Sequence, residues 1–174
     1  MDASTARVLQ GLIRERSVAA LGTVHAGHPF VSMVPFAVTP DGRALVVHVS
    51  RLAAHSGNMR RDGRVSVLVM EPEQPDRMPQ ALARVTIQGD AREVGVGDPE
   101  YSRAREAYLG RFPDADGLFE LADFSLFLIG VTSARLVGGF AQAATLSPEG
   151  FAAALGRESA GRPGSLGEPS APGE

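Results

Sequence analysis

Hydrophobic and polar positions follow two periods along this chain. Between residues 4 and 16 the apolar residues recur at the three- and four-residue spacing of a helix that buries one face. Further on, runs of β-forming residues are separated by turns rich in Gly, Pro and Asp. These runs predict strands over residues 18–24, 30–38, 43–49, 64–70, 82–94, 124–131 and 135–140.

The first three predicted strands have no helix between them, so they form an antiparallel meander. Further helices are predicted over residues 51–61, 98–112 and 147–155. The fold class is therefore mainly β (α+β), with six to seven antiparallel strands in a small barrel and peripheral helices. Residues 1–156 form one domain, and the Gly-, Pro- and Ser-rich residues 157–174 are expected to be a disordered tail.

The junction between the third strand and the helix over residues 51–61 is a candidate anion site. Ser50 stands where a helix N-cap is expected, and Arg51 follows it. The amides of a first helical turn, the helix dipole and a guanidinium together suit a phosphate. The alternative is an ordinary capped helix with a solvated arginine.

Composition narrows the function classes. The chain has 174 residues, a net charge of −3, no cysteine and no lysine, since all 17 basic residues are arginine. Disulfides, thiolate metal sites and lysine Schiff bases are excluded. We expect a cytoplasmic protein without a leader or membrane span, because no apolar run approaches about 20 residues. The arginines near Arg61 lack interleaved aromatic residues, so nucleic acid is not an expected partner.

Candidate catalytic and metal-binding groups are few. The four histidines are His25, His28, His48 and His55, and none of them forms an H-x-x-x-H or H-x-H spacing, so no metal is expected. There is no G-x-S-x-G element, and no general acid or base stands out, so the catalytic residues are unknown. A redox cofactor would carry the chemistry in that case.

Four stretches of the chain resemble the FMN-binding split-barrel superfamily, which is named for pyridoxamine 5′-phosphate oxidase, and within it the HugZ/HutZ-type haem-utilisation branch. They are GHPFVSMVPF (27–36), SRLAAHSGN (50–58), ARVTIQG (83–89) and ARLVGGF (134–140). The resemblance implies a split β-barrel and a homodimer with two equivalent cofactor sites at the subunit interface. It also implies a flavin-dependent oxidoreductase of unknown substrate.

The resemblance assigns ten residues to an FMN site. The flavin ring would take backbone amides of the second strand, the ribityl chain would lie beside the end of the third strand, and the phosphate would bind at the corner that follows. An arginine would reach the flavin from the opposite side, and an aromatic ring would lie against it. In that order the residues are Ser32, Met33 and Val34; Val47 and His48; Ser50, Arg51 and Leu52; Arg84; and Phe140.

Two departures keep other functions open. The classical oxidases of this superfamily carry Arg and Lys where this chain has Ser32 and Phe36. Haem-degrading members of the branch use a C-terminal histidine as iron ligand, whereas this chain has no histidine beyond His55. The alternatives are a haem-binding or haem-utilisation protein of the same fold, and a cofactor-free dimeric interaction module.

Overall fold

A computed structural model describes residues 2–139 and 143–156. The fold is one antiparallel sheet that curls around a core, with four helices on its outside, so the predicted fold class is confirmed. The predicted tail and Phe140 lie outside the described residues.

The strands are β1 (Val18–His25), β2 (His28–Pro35), β3 (Ala37–Val38), β4 (Ala44–Ser50), β5 (Arg64–Met70), β6 (Arg84–Val94), β7 (Phe124–Val137) and β8 (Ala143–Leu146). The helices are α1 (Ala3–Glu15), α2 (Ala54–Arg61), α3 (Tyr101–Arg111) and α4 (Pro148–Leu155).

The strands run in the order β2-β1-β5-β6-β7-β4-β3, and β8 pairs with the end of β7. All pairings are antiparallel. Although β2 and β4 lie far apart in this order, they approach each other in space, as the curl of a half-barrel requires. One side chain from nearly every second strand position enters the core, and α1 and α4 pack against that core.

Two predicted boundaries were wrong. The strand predicted over 30–38 is divided into β2 and β3, because the amide of Phe36 donates to the carbonyl of Ser17 and its ring is fully buried. The last two predicted strands are one strand, β7, because the polar residues around Thr132 are absorbed as a bulge opposite Gln88 and Gly89. A 3₁₀ segment, Pro113–Glu120, and strand β8 were not predicted.

A second apolar cluster lies on the outer side of β4 and β7. Helix α3 covers it, and the segment Pro113–Glu120 packs beside the helix. Val46, Leu126 and Leu128 of the sheet meet Ala104 and Tyr108 of α3 there. This cover decides which side chains of β4 are accessible, since β4 presents alternate residues to the core and to this cluster.

Candidate functional site

The corner after β4 is built as a turn, and Ser50 is not a helix cap. Helix α2 begins at Ala54, and its N-cap residue, Ala53, makes no side-chain capping bond. The Oγ of Ser50 accepts a hydrogen bond of 3.2 Å from the amide of Leu52, and the carbonyl of Ser50 accepts one of 2.6 Å from the Oγ of Ser56. The predicted helix start at residue 51 was therefore wrong by three residues.

The amides expected to face a phosphate at Arg51 and Leu52 are already used within the chain. The amide of Arg51 donates to the carbonyl of Asp123 at 2.6 Å, and that of Leu52 donates to Ser50. In the part of the chain that the structure describes, the amides of Ala54 and His55 have no acceptor, as is usual for an uncapped helix start. The candidate anion site therefore moves one turn along the chain, to the start of α2.

Of the arginines around this corner, Arg51 and Arg61 have no carboxylate partner among the described residues, and Arg61 is hydrogen-bonded to Asn58. Arg60 forms a two-pronged ion pair with Glu93, whose pKa the Arg60 hydrogen bonds lower to about 2. Arg64 pairs with Asp62 at 2.6 Å. Arg51 is exposed and has no carboxylate within 4 Å among residues 2–139 and 143–156, although its charge also contributes to the low pKa of Glu93. The arginine cluster thus offers less free charge than the sequence suggests.

Helix α2 is held on β2 by a hydrogen bond between two polar side chains. The Oγ of Ser32 lies 3.0 Å from the Nδ1 of His55. The Nε2 of His55 is buried and has no hydrogen-bond partner, and burial lowers the pKa of this imidazole. Ser32 is thus placed beside α2, while the side chains on either side of it point to the other face of the sheet.

Val47 and His48 do not reach the surface of the corner. The side chain of Val47 is 1% exposed and belongs to the barrel core. His48, which is 5% exposed, points to the outer cluster, where its ring stacks on Phe119 at 3.9 Å and contacts Tyr108 edge-on. The structure therefore does not bring either side chain to the position where the ribityl chain was expected.

Burial explains the electrostatic state of His48. Its Nδ1 is buried without a hydrogen-bond partner, and desolvation lowers the pKa of the imidazole to about 4. At neutral pH His48 is an uncharged member of an aromatic cluster. Its ring cannot contact a ligand while the segment Pro113–Glu120 covers it.

An exposed apolar surface, which we name the open face, lies on the outer side of β2, β1 and β5. Its residues alternate with the core residues along each strand, and they are Val18, Val31, Met33, Leu68 and Met70. Val31 and Met33 are each 66% exposed. A cavity of about 630 Å³ lies over this face, bordered by Arg16, Glu71 and Glu73. Contiguous apolar surface of this kind marks a binding site.

The predicted site residues divide between this face and the corner. Met33 lies on the open face, and Arg84 lies at its rim, directly opposite Met70 across β5 and β6. Val34 is buried, but β2 is an edge strand, so alternate amides of Ser32, Met33 and Val34 point away from β1. Leu52 is 85% exposed at the corner.

Arg84 resembles Arg51 in carrying a charge without a carboxylate partner. Its Nη1 donates to the carbonyl of Leu82 at 3.0 Å, and no carboxylate lies within 4 Å of it in the described ranges.

Among the described residues no three His, Asp or Glu side chains converge to hold a metal ion. None of the described helices is long and apolar enough to cross a membrane.

The sequence matches the family model of pyridoxamine 5′-phosphate oxidase over residues 6–138. It is 32% identical over 136 residues to the protein named heme oxygenase HutZ of Vibrio cholerae serotype O1, a similarity that covers 77% of this chain and 76% of that protein.

Two solved structures are also similar. A heme binding protein from Mycobacterium smegmatis superposes with a TM-score of 0.76 and 30% identity, covering 88% of this chain, which spans only 62% of that one. The structure of HutZ described as the heme storage protein from Vibrio cholerae has a TM-score of 0.64 and 30% identity, covering 71% of this chain and 87% of that one. This chain therefore belongs to the pyridoxamine 5′-phosphate oxidase family, and within it to the HutZ-type haem-utilisation branch.

Proposed function

We propose that this protein is a homodimer that binds haem against the open face. The observation that carries this proposal is the exposure of Val31 and Met33, with Leu68 and Met70 beside them, under a cavity of about 630 Å³. That volume lies within the range of small-molecule sites, about 300–1,000 Å³. A second copy of the chain laid over this face would bury the same residues from the other side.

The chemistry of the face suits haem in three ways. The porphyrin is large, planar and apolar, and the open face offers it a contiguous apolar surface. Its two propionates require cations, and Arg84 and Arg16 stand at the border of the face. Thioether sulfur is a known haem ligand, and Met33 and Met70 present it at this surface. When bound, haem supplies iron for ligand binding and redox chemistry.

Haem binding without degradation is the activity we favour. None of the four histidines lies on the open face: His48 is covered, His55 is bonded to Ser32, and His25 and His28 lie on the opposite face of β1 and β2. None of the residues that line the cavity is a histidine. Of the relatives, HutZ of Vibrio cholerae is described both as a heme oxygenase and as a heme storage protein, and the Mycobacterium smegmatis relative is described as a heme binding protein.

The test is a titration of the untagged protein with hemin, followed by the Soret absorbance. We expect saturable binding, and we expect the variants Met33→Ala and Met70→Ala to weaken it or shift the band. Met78→Ala is the matched control, because Met78 is 60% exposed but lies outside the cavity. Absence of a Soret shift, or equal effects of all three variants, would reject the proposal.

FMN is the second candidate ligand, and one observation favours it. The start of α2 offers the unpaired amides of Ala54 and His55, and the exposed Arg51 precedes it by three residues; amides and a guanidinium suit a phosphate dianion better than a propionate. The edge of β2 supplies amides for a flavin ring. A flavin-dependent oxidoreductase would follow from this ligand, with the redox chemistry supplied by the flavin. Quenching of FMN fluorescence on titration with the protein tests it.

A further inference from the structure

The hairpin that joins β1 and β2 places two histidines directly opposite each other. His25 is the last residue of β1, His28 is the first residue of β2, and they are paired partners in the ladder. Partners in an antiparallel pair have Cα atoms about 4.5–5.5 Å apart and side chains on the same face of the sheet. Both histidines are exposed. Two imidazoles thus project side by side from one end of the sheet.

The turn between them holds this register. Ala26 and Gly27 both have positive φ, 49° and 81°, as in the two-residue turns that match the twist of paired strands. Ala26 is the one non-glycine residue with positive φ among the described residues. A residue with a Cβ is disfavoured there by about 1–2 kcal/mol, so the surrounding structure must enforce the turn.

Hydrogen bonds fix which nitrogen of His25 is available. The Nδ1 of His25 lies 2.8 Å from the Oδ1 of Asn58. Asn58 is fully buried, its Nδ2 donates to the Oγ1 of Thr23, and its Oδ1 accepts from the guanidinium of Arg61. That oxygen can only accept, so Nδ1 of His25 is the donor. In the neutral ring the Nε2 therefore carries the lone pair.

This arrangement is the one that metal-binding histidines use. A ligating imidazole generally donates its second ring N–H to a fixed acceptor, which sets the tautomer and the ring orientation. The ring of Phe30, with its centroid 6.0 Å from that of His25, packs against the same imidazole. His25 thus has a fixed orientation, a defined ligating atom and a second imidazole beside it.

We propose that His25 and His28 together bind a divalent transition-metal ion, with water in the remaining coordination positions. Two imidazoles favour zinc, nickel or copper over magnesium and calcium, which prefer oxygen ligands. The site lies on the face of β1 and β2 that carries α2, opposite the open face, so it is separate from the haem site proposed above. Binding displaces water from the ion and forms two nitrogen–metal bonds, with no redox change.

The test is calorimetric titration of the untagged full-length protein with zinc chloride and with nickel chloride at about pH 7.5, where imidazole is mostly neutral. We expect one ion per chain, and a loss of affinity of about tenfold or more in His28→Ala and in His25→Ala. His28→Ala carries most weight, because His28 is exposed and its loss leaves the Asn58 network intact. His55→Gln is the control and should bind as the wild type does.

A second measurement tests the geometry apart from the affinity. A long-range ¹H–¹⁵N spectrum of the imidazoles should show His25 as the tautomer protonated at Nδ1, and zinc should shift its Nε2 resonance. Protonation at Nε2 in the metal-free protein would overturn the proposal. So would unchanged affinity in His28→Ala, or a loss in His55→Gln equal to the loss in the hairpin variants.

Discussion

The backbone amide of Arg51 donates a hydrogen bond of 2.6 Å to the carbonyl oxygen of Asp123. Ser50 pairs with Phe124 at the end of the β4–β7 ladder, so this hydrogen bond extends the pairing of β4 with β7 by one residue. Beyond Arg51 the chain completes a turn, in which the amide of Ala53 donates to the carbonyl of Ser50, before α2 begins at Ala54. The Arg51 side chain is left exposed three residues before the start of α2, where we propose that the phosphate of FMN binds.

Replacement of Arg51 by glutamate tests whether the phosphate of FMN binds at the start of α2. If FMN binds with its phosphate at the start of α2, Arg51→Glu removes a charge-assisted hydrogen bond and adds repulsion. We expect a loss of about 1.5–3 kcal/mol, roughly 10- to 150-fold in the dissociation constant. Fluorescence titration with FMN measures it, and Arg7→Glu, on an exposed position of α1, is the control. FMN binding of unchanged affinity in Arg51→Glu would place the phosphate elsewhere.

A charge on the open face should separate the proposed subunits. Val31 is 66% exposed in the single chain, and the proposed partner copy would bury it. Glutamate at this position leaves the single chain unharmed, whereas burial of its charge in an apolar interface costs several kcal/mol. Light scattering coupled to size exclusion should report a dimer for the wild type and a monomer for Val31→Glu. In Leu52→Glu, where an apolar residue that is 85% exposed lies at the corner, the dimer should persist.

Asn58 is the residue on which the attachment of α2 to the hairpin depends. It is fully buried and bonded to Thr23, His25 and Arg61. Asn58→Ala leaves buried polar groups without partners, so we expect a loss of about 2–3 kcal/mol in the free energy of unfolding. Urea denaturation measures it. Gln88→Ala, which removes an exposed hydrogen bond to Ser133, should change the free energy by less than about 0.5 kcal/mol.

The sequence predicted the strands well because their apolar periods are local. The apolar run over residues 64–70 predicts a strand, and the structure has β5 there, although only Val65, Val67 and Val69 are buried and Met70 is exposed. The start of α2 was predicted three residues too early, because the chain makes a turn, with the amide of Ala53 donating to the carbonyl of Ser50, before the helix begins. Ser50 has the local chemistry of an N-cap, but the amide of Arg51 is held by Asp123, which lies 72 residues further along the chain.

The candidate site was less predictable than the fold, since it depends on which face of a strand is covered. His48 stands next to the corner in sequence, yet α3 and the segment Pro113–Glu120 bury it. The open face could have been predicted from the sequence, because β2 has apolar residues on both of its faces. This pattern is typical of strands that are covered on both faces. No metal was expected at His25 and His28, which flank a turn in the sequence, because their spacing is neither H-x-x-x-H nor H-x-H; the two-residue turn makes them direct partners.

The buried imidazole of His48 makes the stability of the protein depend on pH. Its pKa is about 4 in the folded chain and near 6.5 in a model peptide, so the unfolded state takes up the proton first. The stabilisation is complete above about pH 6.5, falls as the pH drops below that value, and is lost near pH 4; in total it amounts to about 3 kcal/mol. The lowered pKa of His55 acts in the same direction.

Urea denaturation at about pH 7.5 and pH 5 should show this loss of unfolding free energy. In His48→Phe, which keeps the stacking on Phe119, the loss should be smaller, whereas His28→Gln should retain the wild-type dependence. An equal loss in His48→Phe and wild type would show that His48 takes up its proton without disturbing the aromatic cluster.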